Sequence, residues 1–443
     1  NFHFNAGTNG SVNLSNHDPA GTTNDVVIAD AIRFGNGMGS TVRGSAGLSG
    51  FESELESSRF WTIKSMGVGF AASLYDLAGY DDREDNIGQP ARMAVNMCRT
   101  NGWPRWRRLY VGFHSNAGSG TARGVWALGD SRLQTNAAYA AFYQGQTNLG
   151  MRMARRVQTN LLAGVAAGRI PSWTATFRAT TYNTNYGEIY NSYNTTNVFM
   201  LMDTTILEVA FHDNADDTTV LKTPAGREWL ARAAVQGIVD HLAGFYADST
   251  VPAAYAPDAP ATVQALQTAS GAVTVAWTLA ATNAASGDAP TGFRIYSSGD
   301  GKGFGNPVAV PGGGARSQVI TDMAAGTTLF FRVCATNAGG ESGDSPVAGV
   351  RIAAGGMRAD VLVVDGFTRN DSTLAPTRHF TNGLDGQVTL VRPRMINNRD
   401  VVREHGLALA AAGRSFDSMD AGNVTAAILT NYSKVVWALG EES

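Results

Sequence analysis

Two short apolar runs, each broken by one ionisable residue, form the strongest pattern in the chain. The first is Leu109-Tyr110-Val111-Gly112-Phe113, followed by His114. The second is Ile206-Leu207-Glu208-Val209-Ala210-Phe211. Each predicts a buried strand running into a polar loop. A lone carboxylate in such a run costs several kcal/mol unless it is paired, protonated or bound to a metal. Glu208 therefore has two readings. Either it is kept for chemistry, or it belongs to a hydrogen-bonded core pair or the exposed side of an edge strand.

Around these runs the pattern predicts strands at 11–14 and 25–34 and a helix at 52–66. A small-residue strand at 69–75, an acidic loop at 76–85 and a helix at 89–100 follow, the helix ending before Asn101-Gly102 and Pro104. Glu52, Glu54 and Glu56 read as a solvated face. A long helix is expected at 136–162, with Ala, Leu and Met on one side and Arg152, Arg155 and Arg156 on the other. Residues 176–197, rich in Tyr, Asn and Thr, read as an irregular loop carrying Glu188. Residues 198–202 and 206–211 enter the core. Thr223 is a good helix cap and Pro224 suits a first helical position. The helix to Phe245 turns Trp229, Leu230 and Ala233 inward, with His241 as a surface or core-edge residue.

A Pro, Ala and Asp linker precedes a segment of alternating strands. Pro260, 273–277 (VTVAW), 293–296 (FRIY) and 331–342 resemble a fibronectin type III module, in which Trp277 fills the sandwich core. Leu329 stands where such modules place a corner tyrosine. Gly299-Asp300-Gly301-Lys302-Gly303 lacks the strand-to-helix setting of a phosphate loop and reads as a hairpin loop. Beyond it, strands at 360–364 and 434–439 and a helix at 400–412 predict the opening of an α/β domain with a parallel sheet. That opening resembles the glutamine-amidotransferase-like fold, without a nucleophilic cysteine, so the likeness bears on fold only.

The 443 residues suffice for three or more domains. With 16 % charged residues and a net charge of −3, the chain is not a nucleic-acid binder relying on a basic surface. No run is long and apolar enough to span a bilayer. Cys98 and Cys334 read as small buried hydrophobes rather than halves of a disulfide. The chain begins without Met inside a strand-like pattern, so it is expected to be a piece of a longer protein. The lack of a signal peptide then carries no information about location.

Phe113-His114-Ser115-Asn116-Ala117 and Leu207-Glu208-Val209-Ala210-Phe211 resemble the third and fourth active-site segments of zinc-dependent N-acetylmuramoyl-L-alanine amidases. In that family the segments read S-x-H-x-N-A and L-x-E-V-x-F, with a helix behind. Gly112 stands where Ser is usual, and Leu221-Lys222-Thr223-Pro224 opens the matching helix. The resemblance covers roughly residues 38–245. Residues 25–34 (DVVIADAIRF) resemble the last strands of a golvesin-like β domain.

The amidase resemblance implies hydrolysis of the amide joining muramic acid to L-alanine in peptidoglycan. It implies His114 as a ligand of one Zn2+ and Glu208 as general base and then acid. Catalytic zinc takes three protein ligands and activates the water at its open position. The remaining ligands, a His and a Glu, are expected upstream of Asn1. Asn116, Glu188 and His212 are candidates for lining the site. No H-E-x-x-H, C-x-x-C, G-x-S-x-G or Walker A pattern offers another centre.

The expected protein is multidomain. A β remnant spans 1–37 and an α/β amidase domain with a mixed or parallel sheet flanked by helices spans 38–250. A linker at 251–257 leads to an all-β fibronectin type III sandwich at 258–353. The start of an α/β Rossmann-like domain spans 354–443. The expected setting is secreted or in a bacterial cell envelope, with the β modules as a further contact to wall polysaccharide. The alternative is a non-catalytic wall-binding protein on a decayed amidase scaffold.

Overall fold

The computed structural model describes residues 71–80, 82–98, 104–168, 182–184, 186–189, 198–283, 285–355, 358–375, 377–380, 386–389 and 396–440. The expected strands at 11–14 and 25–34, the helix at 52–66 and most of the 176–197 loop lie outside them. The chain divides into two compact units. One comprises Asn1–Tyr110, Asn185–Met202 and Thr377–Thr389; the other comprises Val111–Thr184, Asp203–Pro376 and Leu390–Ser443.

In the first unit, the strand expected at 69–75 is instead a 3-10 turn at Ala72–Leu74. Helix α1 (Asp82–Cys98) starts about two turns before the expected position and runs through Pro90. The reason is a buried ion pair. Asp85 and Arg92 meet at 2.6 Å, both almost fully out of solvent. Asp85 also accepts from the N–H of Leu77, and Arg92 donates to the carbonyl of Leu74. The acidic stretch is therefore partly core rather than solvated loop. Cys98, at the end of α1, is only half-buried.

Strands β1 (Leu109–Asn116), β2 (Trp126–Asp130), β3 (Tyr182–Thr184) and β4 (Asp203–Phe211) form one sheet in the order β1-β4-β2-β3. Strand β2 runs antiparallel to β4, with Trp126 opposite Glu208, and parallel to β3. Every residue of β4 is buried. Asp130 caps the short helix α2 (Ser131–Thr135) by accepting from the N–H of Arg132. Asn136 caps a 3-10 turn, so the long helix α3 starts later than expected, at Ala140–Ala166. Its inner face buries Leu149, Met153, Val157 and Leu161.

Residues 198–201 form a single helical turn, α4 (Val198–Leu201), with Val198 and Phe199 in the core as expected. Helix α5 (Ala215–Lys222) follows β4 and precedes α6 (Pro224–Val239). Thr223 caps α6 by accepting from the N–H of Gly226 at 3.2 Å, with Pro224 in the first turn as expected. Helices α3 and α6 pack closely because Gly237 has no side chain. A Cβ there would sit 2.5 Å from the Cα of Met153.

The chain then widens into a π-helical turn, Asp240–Phe245. His241 continues the inward face of Leu230, Ala234 and Gly237, so it lies in the core rather than at the surface or core edge. His241 is fully buried. Its Nε2 faces Asp203 Oδ2 at 2.9 Å and its Nδ1 faces Asn148 Oδ1 at 3.1 Å. The hydroxyl of Tyr246 donates to the same Asp203 oxygen at 2.7 Å.

Eight strands follow: β5 (Pro260–Ala269), β6 (Ala272–Leu279), β7 (Gly292–Ser298), β8 (Gly305–Pro311), β9 (Ser317–Ile320), β10 (Thr328–Asn337), β11 (Gly340–Glu341) and β12 (Ala348–Arg351). Their pairings give two antiparallel faces, β5-β6-β9 and β8-β7-β10-β12. The two inner faces interdigitate through Val263, Val275, Ile295, Phe331, Val333 and Val350. Trp277 is buried against Phe293, ring centroids 5.0 Å apart. Three strands facing four in this order make the fibronectin type III sandwich that the alternation predicts. Leu329 packs on the edge of its core. The glycine-rich stretch at 299–303 is a hairpin loop. Asp300 accepts from the N–H groups of Lys302 and Gly303 and from Ser298. These bonds, that from Lys302 foremost, hold its carboxyl down at about 2.

The last segment holds β13 (Val361–Asp365), an antiparallel hairpin of β14 (Thr377–Phe380) and β15 (Gly386–Thr389), α7 (Val401–Ala411), β16 (Phe416–Asp420), α8 (Ala426–Leu429) and β17 (Lys434–Ala438). Strand β13 pairs in parallel with β16 on one side and β17 on the other. Strand β16, which the hydrophobic pattern does not announce, also touches both edges of the sandwich. Phe416 stands opposite Arg351 of β12, and Ser418 opposite Ala265 of β5. Phe416 shares one buried cluster with Phe330, Val347, Val361, Val363 and Val402. The sandwich and the parallel sheet thus have a common core. Among the described residues, no helix is long and apolar enough to cross a membrane.

Candidate functional site

The two runs that dominate the sequence become neighbouring strands. The backbone N–H of His212, just past β4, donates to the carbonyl of Asn116, the last residue of β1, at 2.8 Å. The C-terminal ends of β1 and β4 are therefore level, and the strands run parallel. His114 lies two residues back from this tie and Glu208 four. At a rise of about 3.3 Å per residue and a spacing of about 5 Å between strands, their backbones lie within roughly 9 Å. Open α/β sheets bind ligands at such carboxyl ends.

The two side chains differ in setting. Glu208 is 8 % exposed and stands opposite Trp126. The indole of Trp126 meets Phe211 edge-on at 5.2 Å, an apolar wall next to the carboxylate's strand. His114 is exposed, as are Phe113 and Ser115 beside it. Phe113 leaves half of its surface in solvent, so the last part of β1 does not behave as a fully buried strand.

Asn116 and His212, both candidates from the sequence, lie at this end. The side chain of Asn116 accepts from the N–H of Ala117, while His212 Nδ1 faces Ser115 Oγ at 3.0 Å. Glu188 belongs to the other unit. It is buried, and the hydroxyl of Tyr110 donates to its Oε1 at 2.7 Å. Burial, with the charge of Glu188, pushes the Tyr110 phenol up, so this tyrosine stays a donor. Residues 190–197, the rest of the expected site loop, lie outside the described residues.

A set of acidic and amide side chains after β4 holds the loop between β1 and β2. Asp213 Oδ2 accepts from the N–H groups of Gly118 and Gly120, at 2.8 and 3.0 Å. Those bonds, the one from Gly120 foremost, lower its pKa. Asn214 donates to the carbonyl of Gly120 and caps α5. Fully buried Asp217 accepts from the N–H groups of Gly124 and Phe211, each at 2.8 Å. The sequence carries a signal for this clamp: an Asn cap followed by Asp216 and Asp217 in a first helical turn. The stronger Thr223-Pro224 start nine residues later obscures it.

Among the described residues, no group of three or more His, Cys, Asp or Glu side chains is arranged to hold a metal ion. His114 is one candidate ligand, and a catalytic zinc needs three from protein. The described residues therefore do not make a zinc site by themselves.

No family model matches the chain, and no curated protein matches it. Solved structures similar to part of it include one titled a myokine structure, 19 % identical, with a TM-score of 0.20, covering 22 % of this chain and 100 % of its own. Another is the sixth fibronectin type III domain of human fibronectin type III domain containing protein 3, 21 % identical at 0.20, covering 23 % and 89 %. A third is a β-1,2-glucanase from Parabacteroides distasonis, 22 % identical at 0.20, covering 24 % of this chain and 14 % of the enzyme. Likenesses this slight do not bear on function. The sandwich is assigned by its own strand order.

Proposed function

We propose that this chain belongs to a modular peptidoglycan amidase and brings His114 and Glu208 to its reaction centre. The observation that carries the reading is the level ends of β1 and β4. It puts an exposed imidazole and a buried carboxylate at the carboxyl end of one sheet. In this reading Glu208 takes a proton from the attacking water and returns it to the leaving amine, balancing the hydrolysis of one amide bond. Trp126 and Phe211 keep bulk water from the carboxylate's strand. The Asp213 and Asp217 clamp fixes the loop beside it. His114 would be one ligand of a Zn2+ whose other ligands the described residues do not supply.

The proposal extends to a secreted or envelope-bound protein whose partner is peptidoglycan. The sandwich would be a spacer or a wall contact, and the β16-β13-β17 sheet the opening of a Rossmann-like domain.

The test is cleavage of muropeptides by the whole protein, comparing the native residue with Glu208→Gln. The isostere keeps shape and removes the charge. Turnover should fall by ~10²-fold or more with an unchanged melting curve. A Gln variant that is destabilised but turns over normally per folded molecule would place Glu208 in a structural pair instead. Native protein that binds peptidoglycan without cutting it would favour the wall-binding alternative.

A further inference from the structure

A cleft of the second unit lies away from His114 and Glu208. It has a volume of about 620 Å³ and runs along the outer face of α3, against the π-helical turn. Asn148 on its wall touches His241, which touches Asp203, the first residue of β4. Glu208 of the proposed reaction centre is five residues further along that strand, roughly 17 Å away.

Tyr143, Thr147 and Arg155 fall on one i, i+4 row of α3, and Arg152 and Arg156 on the next. The guanidiniums are differently committed. Arg156 is held by Asp240, through Nε at 2.7 Å and Nη2 at 3.2 Å, and stacks on the ring of Tyr255. Arg152 spends its Nε on Asn148 at 2.7 Å and passes close to Gly244, where an added Cβ would lie 3.2 Å from Nη1. Arg155 is exposed and makes no ion pair among the described residues. Among the described residues Asp240 is the one carboxylate on the wall and is already used, so two of three arginine charges remain for a ligand.

A second observation also points to a ligand. The hydroxyl oxygen of Thr147 is buried in the cleft wall and has no hydrogen-bond partner among the described residues. Buried polar atoms are nearly always satisfied, so an orphan in a cleft wall wants a partner, and a χ1 rotation would turn this hydroxyl toward one in the cleft. Tyr143 and Phe245 add ring surface, and the volume suits a small molecule.

We infer that this cleft binds an acidic sugar. Arg152 and Arg155 would grip its carboxylate or phosphate, Thr147 would bond a ring hydroxyl, and Tyr143 and Phe245 would cover the apolar ring face. Guanidinium forks match both anions. The inference rests on the cleft alone and does not depend on the amidase reading.

The experiment is calorimetric titration of the whole chain with glucose 6-phosphate, glucuronate, neutral methyl glucoside and inorganic phosphate. At least one acidic sugar should bind with a Kd of ~0.1–1 mM, ordinary for a ligand of this size. The neutral sugar and free phosphate should each bind at least ~10-fold more weakly, having lost the ionic or the ring contacts. The preferred acidic sugar tells a phosphate-bearing source from a carboxylate-bearing one. Arg155→Ala changes an exposed residue and should weaken binding by roughly 10-fold with no change in melting temperature. Thr147→Val should weaken it as well. Failure of both acidic sugars to bind, equal binding by methyl glucoside or phosphate, or indifference to both substitutions would each overturn the inference.

Discussion

Asp203 and His241 meet at 2.9 Å with both side chains entirely out of solvent. The pair joins the first residue of β4 to the π-helical turn 38 residues later, and the Tyr246 hydroxyl shares the same carboxylate oxygen. Asp203→Ala strands a buried imidazole and a phenol together. The loss should be ~1–3 kcal/mol for each orphaned hydrogen-bonding group. Urea unfolding followed at the tryptophans of this domain should show it. A loss below about 1 kcal/mol, the value of an exposed pair, would mean that water reaches His241.

Asp217 has a comparable task at the other end of β4. Its Oδ2 takes the N–H groups of both Gly124 and Phe211. Asp217→Ala should cost ~1–3 kcal/mol for each orphaned donor. The local effect is sharper than the global one. Hydrogen exchange at the amides of Gly124 and Phe211 should accelerate by at least ~10-fold, the equivalent of 1.4 kcal/mol. Unchanged protection there would show that the loop is held by other contacts.

Stability of the sandwich and its parallel sheet should fall as pH rises through mildly acid values. Burial lifts the carboxyl of Asp417 to about 6, despite bonds from the N–H of Gln267 and the hydroxyl of Tyr432. Its ordinary value is 3.8. Below that value it is protonated whether the chain is folded or not. Between 3.8 and about 6 the unfolded chain releases its proton first, so the folded state loses ground. Above about 6 the full penalty stands, on the order of 3 kcal/mol at 1.36 kcal/mol per unit. Asp365, similarly raised to about 6 by burial, acts in the same direction. Asp417→Asn isolates one carboxyl. Its melting temperature relative to the native protein should climb from pH 4 to pH 7 and then level. A difference that does not vary with pH would show that Asp417 is hydrated.

Gly349→Ala should disturb the junction of sandwich and parallel sheet directly. A Cβ there would stand 2.7 Å from a ring carbon of Phe330, while the Gly349 N–H is committed to Ser418 Oγ at 2.7 Å. Overpacking of this kind costs ~1–3 kcal/mol. Thermal unfolding should shift downward as one transition. Two separated transitions would mean that the substitution uncouples the modules.

The parts legible in the sequence are those whose periodicity comes from burial on one side. Trp277, Phe293 and Phe331 alternate as a sandwich requires, and the Thr223-Pro224 pair fixes the start of α6. The two runs around His114 and Glu208 announced strands, and the strands are there. Harder to read were the elements whose burial depends on polar partners. Asp85 reads as solvated until Arg92 is seen beside it. His241 reads as a surface or core-edge residue because nothing near it in the chain shows that Asp203 will partner it. Strand β2 is five residues long with Gly129 inside, too little for a period of two to register. The cleft arginines were visible as one face of a helix, but the π turn that makes the face a cleft was not.

Strand β16 gives the C-terminal half a mechanical character that separate beads on a string would lack. It bonds to β13 on one flank and reaches β12 and β5 on the other, and Phe416 is clamped in the core they share. A tension applied between the ends of this half cannot extend the sandwich by swinging it about a slack hinge. The load at the C-terminal strand must first shear the parallel ladder of β17 and β13, five residue pairs acting together. Such a unit resists pulling as one stiff link, and it holds whatever lies on either side of it at a fixed distance and angle.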